Sequence, residues 1–153
     1  MPLTKVLVAT DHSASAQRAE AFAGHLAGPN STLEVALLYV HPELPVRVYR
    51  AGLADVYLPT QGLSDNDRQQ MHALLTLAAE HVRQAAGDNQ IQVSEDMVGG
   101  SDVGATIVHE AERLNMEAIV MGARGHSGVA GLLVGSTSHK VLHSASRPVI
   151  VVP

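Results

Sequence analysis

Residues 122–137 read GARGHSGVAGLLVGST, with glycines at 122, 125, 128, 131 and 135. Backbone without a Cβ approaches an anion closely and aims successive N–H groups at it. The chemistry open to this spacing is therefore the cradling of phosphate oxygens. The segment enters a predicted helix at Gly135, Ser136 and Thr137. A helix N-terminus adds free N–H donors and the positive end of the dipole, and the two hydroxyls add further donors. The surroundings carry no acid. All fifteen Asp and Glu lie at or before Glu117, and beyond Ala118 the formal charges are Arg124, Lys140 and Arg147, joined by His126, His139 and His143. No Lys-Ser or Lys-Thr follows a GxxxxG, so this is not a Walker A loop, and it is not GxGxxG either. On the residues alone, the alternative to a phosphate cradle is a flexible surface loop.

Other candidates are less specific. Asp11 follows the first predicted strand, where a carboxylate would accept hydrogen bonds from a ribose or hold a metal-bound water. The alternative is that Asp11 or Ser13 caps the next helix. Nine histidines are many for 153 residues. His139 and His143 stand at i, i+4, a spacing at which two imidazoles share a metal. No third ligand stands out, and two solvent-facing histidines is the plainer reading. His12 and His126 lie on loops that would meet at one crevice, either touching phosphate or simply exposed. No acid pair and no Ser-His-Asp set is singled out, so the site reads as built to hold a nucleotide rather than to transform one.

The elements that must position these groups follow from periodicity. Thr4–Thr10 is a β-branched and apolar run, a first strand. A helix over about 14–27 carries Ala19, Phe22, Ala23, Leu26 and Ala27 as one apolar stripe and stops at Gly28-Pro29. Leu33–Val40 is nearly all apolar, as in parallel strands covered on both faces. Residues 41–64, broken by Pro42, Pro45, Gly52, Pro59 and Gly62, show no period and read as a lid or a family-specific insertion. Ser64 with Asp67 opens a long helix whose buried face is Met71, Leu74, Leu75, Ala78, Val82 and Ala85. Ile91–Val98 alternates at first, which suits an edge strand. Ser101 or Asp102 caps a third helix with Val103, Ile107, Ala111 and Leu114 inward. Glu117–Met121 is a fourth strand. A last helix spans about Ser136–Ser144, and Val149–Val152 is a fifth strand. This β-α-β-α-β-α-β-α-β order predicts one domain over residues 1–153: an α/β, doubly wound parallel sheet with helices on both faces. In such sheets the ligand lies beyond the carboxyl ends of the strands, where the strand order reverses.

Composition narrows the function. The net charge is −5, aromatics are 3% and Trp is absent, a poor profile for a nucleic-acid binder. No apolar run reaches the length of a membrane span. The absence of cysteine removes disulfides, thiol catalysis and thiolate metal sites, and fits a cytoplasmic protein. Met1-Pro2-Leu3 leads into the first strand without an n-region, an h-region or a small-residue cleavage site, so no secretory signal is expected.

Gly122, two residues, Gly125, nine residues, then Gly135-Ser136 matches G-x2-G-x9-G-(S/T). With IVMG before it, RPVIVVP after Ser146, VATDHS at the front and LLYV ending the second strand, the chain resembles the universal stress proteins of the ATP-binding type over its whole length. The resemblance implies a Rossmann-like sheet in order 3-2-1-4-5, similar to the adenine nucleotide alpha hydrolases, with ATP and Mg²⁺ in the crevice. It implies Thr10 and Asp11 along adenine and ribose, Val40 against adenine, and Met121 and Gly122 beside the ribose and first phosphate. Arg124, Gly125 and His126 would line the phosphates. Gly135, Ser136, Thr137 and Ser138 would hold them through backbone and hydroxyl groups. It further implies a homodimer paired through the last strand, in a regulatory or stress-response role with a regulatory protein partner still to be identified, and at most slow hydrolysis. Two departures stand out: Gly99-Gly100-Ser101-Asp102 in place of Gly-x-Pro before the third helix, and Asp-His-Ser in place of Asp-Gly-Ser after strand one. The alternatives are an adenylate-forming or phosphoryl-transfer enzyme, with Tyr49 and Tyr57 near an acceptor site, and a nucleotide-free dimerisation adaptor.

Overall fold

Short apolar runs separated by amphipathic helices leave few ways to bury both faces of a sheet. The computed structural model, which describes residues 2–42, 46–48, 56–58, 64–126 and 133–153, adopts the expected one. Strands β1 (Lys5–Ala9), β2 (Leu33–Pro42), β5 (Ile91–Gly100), β6 (Ala118–Gly122) and β7 (Val149–Val152) form one sheet in the order β5-β2-β1-β6-β7. Every pairing is parallel. Counted among themselves, these strands run 3-2-1-4-5, and the order reverses between β1 and β6.

Alternate residues of each strand face opposite sides. Val6, Val8, Val35, Leu37, Ala118 and Val120 pack under α1 (Ala14–His25) and α2 (Asp65–Ala86). Leu7, Ala36, Leu38, Ile119 and Met121 pack on the other side with Ile107 and Ala111 of α3 (Val103–Arg113) and Val141 of α4 (Ser136–Ser144). Helices thus cover both faces, and β2 has the nearly all-apolar run that such a position requires. As its alternation predicts, β5 is an edge strand.

Three details correct the sequence reading. Phe22 is 37% exposed. The face of α1 that meets both the sheet and α2 is centred on Ala19, Ala23 and Gly24, and Phe22 lies to one side of it. Second, β2 and β5 run to Pro42 and Gly100, two residues beyond the predicted ends, and pair there through His41↔Gly99 and Pro42↔Gly100. Third, the aperiodic stretch 41–64 holds an antiparallel pair, β3 (Val46–Val48) and β4 (Val56–Leu58). Three-residue strands are too short to show a period of two. Tyr49 lies outside the described residues, as do Gly128 and Gly131 of the glycine-rich segment, and Tyr57 is described in its backbone only.

The helix starts resolve the open capping choices. Ser13 Oγ accepts the Ala16 N–H at 3.3 Å, Ser64 Oγ that of Asp67 at 3.2 Å, and Asp102 Oδ1 that of Ala105 at 3.0 Å. Asp102 also pairs with Lys140, tying α3 to α4. The Gly-Gly departure has a steric reason: a Cβ on Gly100 would fall 3.1 Å from Thr106 Cβ. By contrast, α4 begins at Gly135 with no side-chain cap.

Candidate functional site

Beyond the carboxyl ends of β1 and β6 lies a cavity of about 330 Å³. Its lining includes all twelve residues that the family resemblance implies: Thr10, Asp11, Val40, Met121, Gly122, Arg124, Gly125, His126, Gly135, Ser136, Thr137 and Ser138. Ala9, Ala16, Leu38, Val103 and Ile107 complete it. These last five look like ordinary core residues in the sequence. The position of α3's first turns at the same end of the sheet was the signal that would have placed Val103 and Ile107 here.

Close backbone approach explains the first two glycines. A Cβ on Gly122 would fall 2.7 Å from Ala16 N, so the end of β6 lies directly on the first turn of α1. A Cβ on Gly125 would fall 2.6 Å from Asp11 Oδ2. The loop after β6 is also clamped from α1, because Ser13 Oγ and Ser15 Oγ donate to the Arg124 carbonyl at 3.1 and 2.5 Å. His126 Nε2–H donates to the Asp11 carbonyl at 2.5 Å across the mouth. Asp11 Oδ1 accepts the Ser13 N–H at 3.0 Å.

At the other end, the Gly135 N–H and Ser138 Oγ–H both donate to the Ala123 carbonyl, at 2.7 and 2.8 Å. The Ser138 hydroxyl is thereby committed to the loop, and its amide is what it offers the cavity. The first helical bond of α4 runs from the His139 N–H to the Gly135 carbonyl at 2.9 Å. The N–H groups of Ser136, Thr137 and Ser138 precede it and have no acceptor among the described residues. Such donors need an external partner.

Chemically the cavity has two ends. Leu38, Val40, Val103, Ile107 and Met121 make an apolar cleft suited to a flat ring. The α4 amides and the Ser136 and Thr137 hydroxyls suit an anion. Arg124 and His126 stand on the rim, and Asp11 is the one carboxylate among the lining residues. No group of three His, Asp or Glu among the described residues is placed to hold a metal. His139 and His143 are both exposed on α4.

His12 does not join the cavity. Its backbone is left-handed, with φ 61°, and its ring stacks on Tyr39, centroids 6.4 Å apart. The buried Nε2 has no hydrogen-bond partner. Burial holds its pKa below the ordinary 6.5, against the opposing pull of Glu20 and Asp11. The unfolded chain thus binds a proton that the native state resists, so stability rises with pH across this window and is lost as pH falls below about 6.5. His12→Asn keeps a residue that tolerates positive φ and removes the titration. The midpoint of thermal unfolding, followed from pH 7.5 to 5, is expected to fall less steeply for His12→Asn than for the unchanged protein. An equal fall in both would show that this imidazole is not held neutral.

The family model for the universal stress protein family matches residues 2–153. A universal stress protein of Bacillus subtilis, YxiE, is 28% identical over 148 residues, covering 97% of each chain. A Synechocystis universal stress protein is 32% identical over 97% of this chain, which spans 42% of that longer protein. Among solved structures, a universal stress protein in complex with cAMP superimposes with TM-score 0.65 at 25% identity, over 99% of this chain and 98% of that one. One from Archaeoglobus fulgidus in complex with dAMP does so with TM-score 0.67 at 21% identity, over 100% of both chains.

Proposed function

The chain belongs to the universal stress protein family, and from that premise we propose that it binds ATP as a regulatory ligand. One observation carries the reading. Of the four helices among the described residues, α4 alone starts without a side-chain cap, and its free amides border the cavity lined by the G-x2-G-x9-G-S residues. Adenine lies against Val40, Met121, Val103 and Ile107. Ribose hydroxyls meet Asp11 and the Thr10 corner. The phosphates follow Gly122, Arg124, Gly125 and His126 to the amides of Ser136, Thr137 and Ser138. Mg²⁺ fits this donor set, since that ion is held through one or two carboxylates plus the ligand's own phosphates, and Asp11 is the carboxylate at hand. The bound cAMP and dAMP in structural relatives support an adenine site of this kind.

Among the described residues the lining contains no lysine and a single carboxylate, too little to clamp and activate a transferring phosphoryl group. The nucleotide therefore acts by selecting a conformation or partner surface rather than as a substrate turned over quickly. The protein acts as one domain over residues 1–153, as a cytoplasmic homodimer paired through the apolar β7 edge. Calorimetric titration of the dialysed protein with ATP, ADP, AMP, cAMP and GTP is the direct test. Saturable one-site binding of adenine nucleotides is expected, with guanine nucleotides weaker. Absence of binding by any of them would leave only a scaffold.

A further inference from the structure

We propose that Glu20 and His81, neither of which lines the cavity, are positioning residues that hold the Thr10–Asp11 corner in its binding geometry. This rests on the nucleotide reading above. Glu20 stands on the sheet-facing side of α1 and is fully buried, among Ala16, Ala19 and Ala23. Its Oε1 accepts the Thr10 Oγ–H at 2.6 Å, and its Oε2 lies 2.7 Å from Nδ1 of His81 on α2. The same Thr10 Oγ accepts the His12 N–H at 3.2 Å. One hydroxyl thus links the buried carboxyl group to a turn whose next residue is left-handed.

That turn determines where Asp11 sits. Asp11 is bracketed by Thr10, which Glu20 holds, and by Ser13, whose N–H its own Oδ1 accepts. Gly125 packs on its Oδ2, and His126 donates to its carbonyl. Each of these contacts depends on the position of Asp11. Burying a carboxyl group is costly, and apolar side chains in place of a whole buried polar pair are often neutral or more stabilising. Glu20 therefore stands where a leucine would serve packing as well, and its two hydrogen bonds run from a half-exposed histidine on the outer helix to a residue of the cavity wall. His12 is the other titratable group against this cluster, and its Nε2 makes no bond to it.

The test uses AMP titration by calorimetry alongside thermal unfolding. Glu20→Leu is expected to remain folded, with unfolding within a few degrees of the unchanged protein, and to bind AMP at least tenfold more weakly. Glu20→Gln keeps an oxygen for Thr10 and an amide for a neutral His81, and is expected to restore affinity to within about threefold. A purely structural role would not separate these two variants at equal stability. His81→Ala alters a half-exposed side chain, folds regardless, and is expected to weaken AMP about threefold or more by freeing one carboxyl oxygen. Should Glu20→Leu fail to fold, the Gln and His81 variants decide. Normal AMP affinity in folded Glu20→Leu, in His81→Ala, or equal losses in the Leu and Gln variants, overturns the inference. Failure of the unchanged protein to bind AMP would instead remove the nucleotide reading on which it rests.

Discussion

Gly24→Val is expected to be the most destabilising single substitution on α1. A Cβ at Gly24 would lie 2.7 Å from Ala85 Cβ and 3.0 Å from Ala86 N, and it would also strike the Val82 carbonyl oxygen. Two of these three neighbours are backbone of α2, so no rotamer change relieves them. The helices would have to separate along their whole contact, opening a seam that now buries Ala78, Ala79, Val82 and Ala86. Overpacking a well-filled interior costs typically 1–3 kcal/mol, and with three added carbons, the Cβ itself against main chain, the upper end applies. About 3 kcal/mol corresponds to roughly 6–12 °C in Tm for a chain of this size. Gly28→Ala is the matched control, because its Cβ would meet nothing nearer than Ser31 Oγ at 3.9 Å. Thermal unfolding followed by circular dichroism should show a large drop for the first and little change for the second. A small drop for Gly24→Val would mean that α1 and α2 do not pack as closely as described.

Gly24 also marks where sequence reading stops. A glycine within a helical pattern reads as a weakness, because its reason, the backbone of another helix, lies some sixty residues away in the chain. The strands were legible because burial on both faces forces apolar runs such as Val6–Ala9 and Val35–Leu38. The glycine-rich turn after β6 was legible because close approach at Gly122 and Gly125 leaves no room for a Cβ. Both are local signatures of a global constraint. The Glu20–Thr10 contact and the Glu20–His81 pair leave no such trace. Each is one polar residue on a helix, indistinguishable by type from a solvated one until the topology stacks α1 on α2. His12 misled for a related reason. Sequence placed its backbone at the crevice, yet a left-handed φ turns its side chain away to Tyr39. The short pair β3–β4 offered too few residues for any period.

Gly135→Asp is expected to separate fold from binding most sharply. Gly135 is the N-cap of α4, with φ −73° and ψ 167°, an extended conformation that suits Asp as well as Gly. Its Cβ would rest 3.4 Å from the Ala123 carbonyl oxygen and 3.7 Å from Ser138 Oγ, contacts that a side chain tolerates with little adjustment. The new carboxylate would then accept the free N–H groups of Thr137 or Ser138, as Asp102 does for Ala105 at the start of α3. Capping of this kind and the helix dipole favour the substitution by a few tenths to about 1 kcal/mol. Stability should therefore hold or rise slightly. Binding at the proposed site should not survive, because the amides it offers a phosphate are taken and a negative charge stands in the phosphate's place. Two like charges 4 Å apart repel by about 4 kcal/mol at an effective dielectric of 20, nearly a thousandfold in affinity at the limit. A loss of at least a hundredfold in ATP affinity, with unchanged or higher Tm, is the expected pairing. If affinity persisted, the amides of α4 would not be the phosphate cradle; if both affinity and Tm collapsed together, the loop after β6 would depend on Gly135 for its own fold.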